Sequence, residues 1–133
     1  MALWLCRAGK HGQHEQKFLD EGRIYLTWSG LNYDLNKFKE MKKIYEFLPE
    51  VYPNNTPGRN KQNTGQIWSF SHRMEPGDWV AMPSQLSKTI HIGEITGNYV
   101  YDKNGSDPYF HYRTVNWLET NIPRTNFDQD LLY

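Results

Sequence analysis

The chain has 133 residues, carries no net charge at neutral pH, and is 38% hydrophobic and 15% aromatic. This length predicts a single domain over residues 1–133, built on one hydrophobic core. A neutral chain is poorly suited to coat nucleic acid regardless of sequence, because that mode of binding depends on excess positive charge. The single cysteine, Cys6, predicts a buried thiol in a cytoplasmic protein. No apolar run reaches the ~20 residues that span a bilayer.

Strands and helices alternate in the first half of the chain. "ALWLCRAG" predicts a strand, and "HEQKFLDEG" predicts a helix that ends at Gly22. "RIYLTW" predicts a second strand. Asp34 is the expected cap of a helix that runs to Leu48. The apolar stripe of that helix consists of Leu35, Phe38, Met41, Tyr45 and Leu48.

A third helix is expected over roughly residues 60–73. Its buried stripe consists of Asn63, Ile67, Phe70 and Met74. Later strands are predicted in "EPGDWVAMPS", "KTIHIGEITGNYVYD" and "YFHYRTVNWL", and the short turns between them favour antiparallel pairing. Alternation within the strand patterns places Trp4, Trp79 and Trp117 in the core. Early helices and late strands predict an α+β fold with a curved sheet or small β-barrel flanked by helices.

The sequence offers little that points to catalysis. His11 and His14 are the two close histidines, and no cysteine or carboxylate cluster completes a metal-binding pattern around them. His91 alternates within "TIHIGE", as a satisfied strand histidine does. Phosphate-binding glycine loops, nucleophile elbows and zinc-protease motifs are absent from the sequence. We therefore expect a binding protein with no cofactor, no metal and no enzymatic activity.

Two tryptophans fit a core poorly and are candidates for stacking on a flat ligand. Trp28 stands at a strand end and is followed at once by Ser29 and Gly30. Trp68 lies about 100° around the predicted helix from Ile67, so it is off the centre of the buried stripe. Aromatic platforms of this kind are typical of sites that stack on bases.

Five ordered blocks cover nearly the whole chain: "LWLCRAGKHG", "IYLTWSGL", "GQIWSFSHRMEPGDWVAMPS", "HIGEITGNYVY" and "IPRTNFDQDLLY". Together they resemble the EVE-like domain of the PUA superfamily, as found at the N-terminus of bacterial Mrr-type modification-dependent restriction proteins. The resemblance implies a PUA-like fold. It also implies a reader of modified bases in nucleic acid, in particular DNA with a methylated or hydroxymethylated base, that serves a restriction or anti-phage defence system. A nuclease domain or subunit is the implied partner.

The related YTH domains hold a methylated base in an aromatic cage, and their first cage tryptophan matches Trp28. Their second cage tryptophan lies in a loop that here reads "YVYDKNGSDPYF", which offers Tyr99, Tyr101, Tyr109 and Phe110 but no tryptophan. Trp68 is therefore the expected second wall. The pocket predicted for a flipped base consists of Trp28, Trp68, Ser29, Gly30, Arg7, Ala8, Gly9, Tyr101 and Tyr109. The predicted phosphate contacts are Lys10, Arg59 and Lys61.

Several alternatives remain open at this stage. Arg7 pairs with Asp128 or Asp130 in one interpretation and faces the pocket in the other. The stretch around Arg59 and Lys61 is either a phosphate site or a solvated loop. For the whole chain, the alternatives to a modified-DNA reader are an RNA-binding PUA-like module and a sensor of a small molecule or nucleotide derivative.

Overall fold

The computed structural model describes residues 1–126. In chain order the elements are β1 (Leu3–Leu5), α1 (Glu15–Glu21), β2 (Arg23–Leu26), a 3₁₀ turn (Leu35–Lys37), α2 (Met41–Val51), α3 (Pro57–Trp68), a π-helical turn (Ser69–Arg73), β3 (Trp79–Pro83), β4 (Thr89–Ile95), β5 (Val100–Tyr101), β6 (His111–Pro123) and a second 3₁₀ turn (Arg124–Asn126). Among these residues, no helix is both long enough and apolar enough to cross a membrane.

The strands form one sheet in the order β1-β3-β4-β6-β2, and β5 pairs with β6. β1 runs parallel to β3, whereas β3–β4 and β4–β6 are antiparallel, as the short connections between the later strands predicted. The sheet curls strongly into a half-barrel. The predicted class, an α+β fold with a curved sheet and helices, is therefore confirmed.

Backbone contacts divide the chain into two compact units. The first consists of Met1–Tyr25, Glu75–Asn98 and the segment that begins at Tyr112. The second consists of Leu26–Met74 and Tyr99–His111. Each unit is thus assembled from separate stretches of the chain.

In the first unit, α1 contacts β2 through the Phe18 ring, which meets the ring of Tyr25. Phe18 of α1 is fully buried, as are Ile24, Val80 and Met82 of the strands. Helix α1 ends at Gly22 in the left-handed conformation, with φ of 62°, as the sequence predicted. Cys6 is half-buried rather than enclosed in the core as predicted, but burial of its thiol raises the pKa to about 12, so the thiol stays protonated.

The prediction that Trp79 belongs to the core is wrong. Trp79 is the first residue of β3 and is 37% exposed, beside the exposed Leu3 of the edge strand β1. The next four residues of β3 are all buried, so this strand lacks the alternation on which the prediction rested. Trp117 is half-buried, and its indole N–H donates to the Phe18 carbonyl over 3.0 Å. Trp4 is also half-buried and donates to Asp78.

The second unit has its own core, in which α2 packs against α3. Leu31, Leu35, Ile44, Leu48 and Ile67 are fully buried there. α3 begins at Pro57 under a Thr56 cap, whose hydroxyl accepts from the Arg59 N–H.

The single helix predicted from Asp34 to Leu48 is interrupted. Asp34 caps only the 3₁₀ turn, Phe38 and Glu40 are extended, and α2 then begins at Met41. In a continuous helix, the separation of nine positions from Leu35 to Ile44 would place them about 180° apart, at about 100° per residue. The break allows both side chains to be buried. Met41 and Tyr45, expected in the stripe, are exposed instead.

Candidate functional site

Trp28 lies in a turn that follows β2 in the second unit. Its carbonyl accepts from the Leu31 N–H over 3.2 Å, and Gly30 adopts a φ of 77° that closes the turn without strain. The Trp28 side chain is half-buried, while Ser29 and Gly30 are exposed. The turn therefore presents a large aromatic ring that its own surroundings only partly cover.

Three hydrogen bonds hold this turn in place. Asp107 accepts from the Gly30 N–H over 2.9 Å and from the Ser29 hydroxyl over 3.2 Å. The Tyr52 hydroxyl donates to the Ser29 carbonyl over 2.7 Å. Burial, helped by the negative charge of Asp107, raises the pKa of Tyr52 to about 12, so this hydroxyl remains a donor at physiological pH. The position of Trp28 is thus fixed from two sides.

A cleft of about 520 Å³ opens beside this turn. Its volume falls within the range typical of ligand sites, roughly 300–1,000 Å³. The described residues that line it are Thr27, Trp28, Ser29, Tyr52, Asn55, Arg59, Gln62, Asn63 and Gln66. All of them belong to the second unit.

Trp28 and Tyr52 form an aromatic corner in the cleft. Their ring centroids are 6.5 Å apart and their planes meet at 72°, which is an edge-to-face contact. The two rings are therefore not parallel walls. A flat ligand that stacks on Trp28 would meet Tyr52 from the side.

The cleft is also lined by a polar stripe along α3, which consists of Arg59, Gln62, Asn63 and Gln66. The spacing of i, i+3, i+4 and i+7 places the four side chains on one face of the helix. The buried face of α3 carries Asn60, Thr64 and Ile67 instead. Asn63 was predicted for the buried stripe and lines the cleft instead, half-buried.

Four amide side chains line the cleft. Within the described part of the chain, the side chains of Asn55, Gln62, Asn63 and Gln66 make no hydrogen bond to other protein groups. Arg59 is exposed and forms no ion pair with any described residue. Among the described lining residues none is acidic. The cleft therefore offers uncharged donors and acceptors together with one positive charge.

A family model described as a domain of unknown function, DUF8426, matches residues 4–130. The chain belongs to this family. No curated protein and no solved structure matches the chain. The resemblance to EVE-like domains therefore stays a prediction for this DUF8426 domain, as does the single-domain boundary.

The DUF8426 chain brings only some of the predicted site residues together. Trp28 and Ser29 line the cleft, as does Arg59, and Gly30 lies in the same turn. Arg59 lies within the first turn of α3 rather than before it. Lys61 is exposed on α3 but does not line the cleft.

Trp68 does not line the cleft. Its indole stacks on the imidazole of His72, with the ring centroids 3.9 Å apart and the planes at 7°. The last turn of α3 and the π-helical turn after it place these two side chains one above the other. The expected pairing of Trp68 with Trp28 as facing walls is therefore not what this geometry offers. Tyr52 is the aromatic partner of Trp28 instead.

The remaining predicted residues lie elsewhere. Tyr101 donates to the Asn32 side chain over 2.7 Å and its ring stacks on His111, while the Tyr109 N–H donates to the Ser106 carbonyl. Neither tyrosine lines the cleft. Four residues belong to the first unit and also do not line it: Arg7, Ala8, Gly9 and Lys10. The alternative partners of Arg7, Asp128 and Asp130, lie outside the described residues.

Sequence reasoning missed most of the polar lining. The helical spacing of the α3 stripe was a usable signal, because four polar residues recur at i, i+3, i+4 and i+7. Tyr52 and Asp107 carried no comparable signal, since each lies in irregular chain far from Trp28 in sequence. Among the described residues, no group of three or more metal-binding side chains was found.

Proposed function

We propose that this domain binds a base of nucleic acid in the cleft beside Trp28, and that it is a reader of modified DNA. The observation that carries the proposal is a half-buried tryptophan held in a fixed turn, in a cleft that also holds four amide side chains without hydrogen-bond partners among the described residues. A base binds through its flat face, which stacks on an aromatic ring, and through its edge, which hydrogen-bonds with neutral donors and acceptors.

Stacking supplies the non-polar part of the binding energy. A base on an aromatic platform gains about 1–3 kcal/mol, and extruding a base from a duplex costs a few kcal/mol. Trp28 alone is thus insufficient to drive extrusion of a normally paired base. Hydrogen bonds to the amides and a phosphate contact from Arg59 supply the remainder.

The DNA and modification parts of the proposal come from the resemblance to EVE-like domains. They carry with them the restriction or anti-phage context and a nuclease domain or subunit as partner, while the proposed cytoplasmic location rests on the single cysteine. The cleft lining supports a binding role over a catalytic one. Its described residues include no carboxylate, imidazole or thiol, and its one phenol, Tyr52, has a raised pKa and already donates to a carbonyl.

A binding panel tests the proposal. The ligands are duplexes with a single methylated, hydroxymethylated or plain base, the matching RNAs, and free nucleosides. We expect the tightest binding to one of the modified DNA duplexes, and loss of that binding in Trp28→Ala. A 2-aminopurine placed beside the target base should also become more fluorescent as the target base leaves the stack. Tighter binding to RNA, or to free nucleosides alone, would replace the proposal with one of the two alternative functions.

A further inference from the structure

The polar side chains of the α3 stripe change in charge along the helix. Arg59 lies in the first turn of the helix, and Asn63 and Gln66 lie in its middle and second half. At a rise of 1.5 Å per residue, Arg59 and Gln66 are separated by about 10 Å along the axis. A cation therefore stands at one end of the stripe and neutral amides stand along the rest.

This order matches the chemistry of a single nucleotide, which is anionic at one end and carries a neutral hydrogen-bonding edge at the other. Asn and Gln side chains can donate and accept at once, and they form bidentate pairs with base edges. Arg forms charge-assisted bonds with phosphate oxygens. The half-burial of Asn63 on the cleft side shields its amide from water, which strengthens any hydrogen bond made there.

We propose that the α3 stripe orients one nucleotide along the helix, with its phosphate at Arg59 and its base edge at Asn63 and Gln66, and that these two amides determine which base is accepted. The inference rests on the proposed function, and assigns the selection of the base to α3 rather than to the turn that carries Trp28. Trp28 then contributes stacking energy without selecting among bases.

The first experiment separates selection from affinity. Asn63→Leu and Gln66→Met remove hydrogen bonding while they keep side-chain size, and dissociation constants are measured for the preferred duplex and its plain counterpart. We expect the affinity ratio between the two duplexes to fall by about 10-fold in Asn63→Leu, with binding to the plain duplex little changed. Lys61→Met, on the same helix but outside the cleft, is the matched control and should leave the ratio intact.

The second experiment tests the orientation. Arg59→Gln should weaken binding to both duplexes alike and reduce the slope of affinity against salt by about one ion. In a second set of probes, one phosphate flanking the target base at a time is replaced by a neutral methylphosphonate. We expect one of these replacements to weaken binding by wild type. The same replacement should cause no further loss of affinity in Arg59→Gln. Additive losses at both positions would overturn the assignment of Arg59.

The outcomes distinguish the two proposals. If wild type binds the preferred duplex and Trp28→Ala abolishes this, but both amide variants keep the full affinity ratio, the proposed function stands and the α3 assignment fails. If wild type binds none of the DNA or RNA probes, both fail. Circular dichroism and thermal melts of each variant establish that a reduced affinity ratio between the two duplexes does not reflect unfolding.

Discussion

Trp28 borders the cleft, whereas the half-buried Trp4 and Trp117 use their indole N–H groups in hydrogen bonds to Asp78 and to the Phe18 carbonyl. A residue that seals a core is enclosed on all sides, whereas Trp28 is covered by Tyr52 at one edge and opens onto the cleft. The free energy of binding and the free energy of folding should therefore respond to different tryptophans in this chain.

Replacement of Trp28 by alanine should abolish base binding and leave the protein folded, because the turn is held through Ser29 and Gly30 rather than through the indole. Trp117→Ala should instead cost about 2 kcal/mol of stability, from lost packing and a lost hydrogen bond to the Phe18 carbonyl. Chemical denaturation and binding titrations measure both quantities. Trp79→Ala, at an exposed strand start, is the control and should change neither by much.

His111 is fully buried, and both of its ring nitrogens have hydrogen-bond partners. Its Nε2 contacts the Leu31 carbonyl over 2.6 Å, and its Nδ1 lies 2.7 Å from the Tyr99 hydroxyl, which in turn accepts from the Leu35 N–H. This chain is satisfied when Nε2 carries the proton and Nδ1 accepts. Burial lowers the pKa of His111, while the Leu31 carbonyl and the Asp34 carboxylate raise it in part.

Stability should therefore fall as the solution is made mildly acidic. Because the folded pKa of His111 lies below the unfolded value of about 6.5, its contribution is complete above that value and is lost as pH falls from there towards the folded pKa. Urea denaturation across this range should show the loss, and His111→Gln should flatten it. Burial also lowers the pKa of His14, which therefore changes stability with pH in the same direction. The variant His14→Gln is made in parallel to separate the two histidines. An unchanged pH profile in His111→Gln would contradict the assignment.

Among the elements, the loop that carries Asp107 fixes the Trp28 turn although Asp107 itself does not line the cleft. Asp107→Ala removes acceptors for the Gly30 N–H and the Ser29 hydroxyl. We expect weaker base binding through loss of preorganisation, with a smaller effect on stability, since both donors are exposed. Asp102→Ala is the control: its carboxylate accepts only from the nearby Asn104 N–H among the described contacts. Equal affinities for the two variants would argue against the role of Asp107.

Element types were largely predictable from the sequence, and their ends were not. Gly22 stops α1 because only glycine adopts its left-handed backbone at no cost, and this signal is local. The break after the first 3₁₀ turn depends instead on which faces of Leu35 and Ile44 meet the core, which no local pattern encodes. The exposure of Trp79 likewise depends on what covers the start of β3.

The same distinction applies to the candidate site. Trp28 was identifiable because a tryptophan at a strand end is locally anomalous. Its partners, Tyr52 and Asp107, are 24 and 79 positions away in sequence, counted from residue 28, and nothing in their surroundings links them to it. Trp68 had an equally anomalous pattern but found a local partner in His72, four residues on. Local sequence patterns therefore identify candidate residues, and the tertiary structure determines which of them line the site.

At the scale of the whole molecule, Asp78 joins the start of the chain to β3. Its carboxylate accepts from the Ala2 N–H, the Trp4 indole and the Glu75 N–H. These hydrogen bonds, with the Trp4 indole first among them, lower the pKa of Asp78. The contribution to stability is therefore present above the unfolded pKa of about 3.9 and is lost as pH falls through the folded value.

Asp78→Asn should accordingly lower stability at neutral pH by about 2 kcal/mol and weaken the acid dependence below about pH 4, as measured by urea denaturation. Glu94→Gln, on the neighbouring strand, is a carboxylate control for which no hydrogen bond is found among the described residues. An acid dependence identical to wild type in the Asp78 variant would show that other carboxylates govern it.

The parallel pairing of β1 with β3 also has a consequence for how the chain folds during synthesis. Leu3 pairs with Trp79, 76 positions later, so a ribosome must release the chain as far as Trp79 before β1 acquires this neighbour. The segment Leu26–Met74, which holds α2 and α3, emerges entirely within that interval. Local helix pairing is fast and such distant strand pairing is slow. Nascent chains should thus form their helical hairpin early, while the first strand waits unpaired and available to chaperones until β3 leaves the exit tunnel.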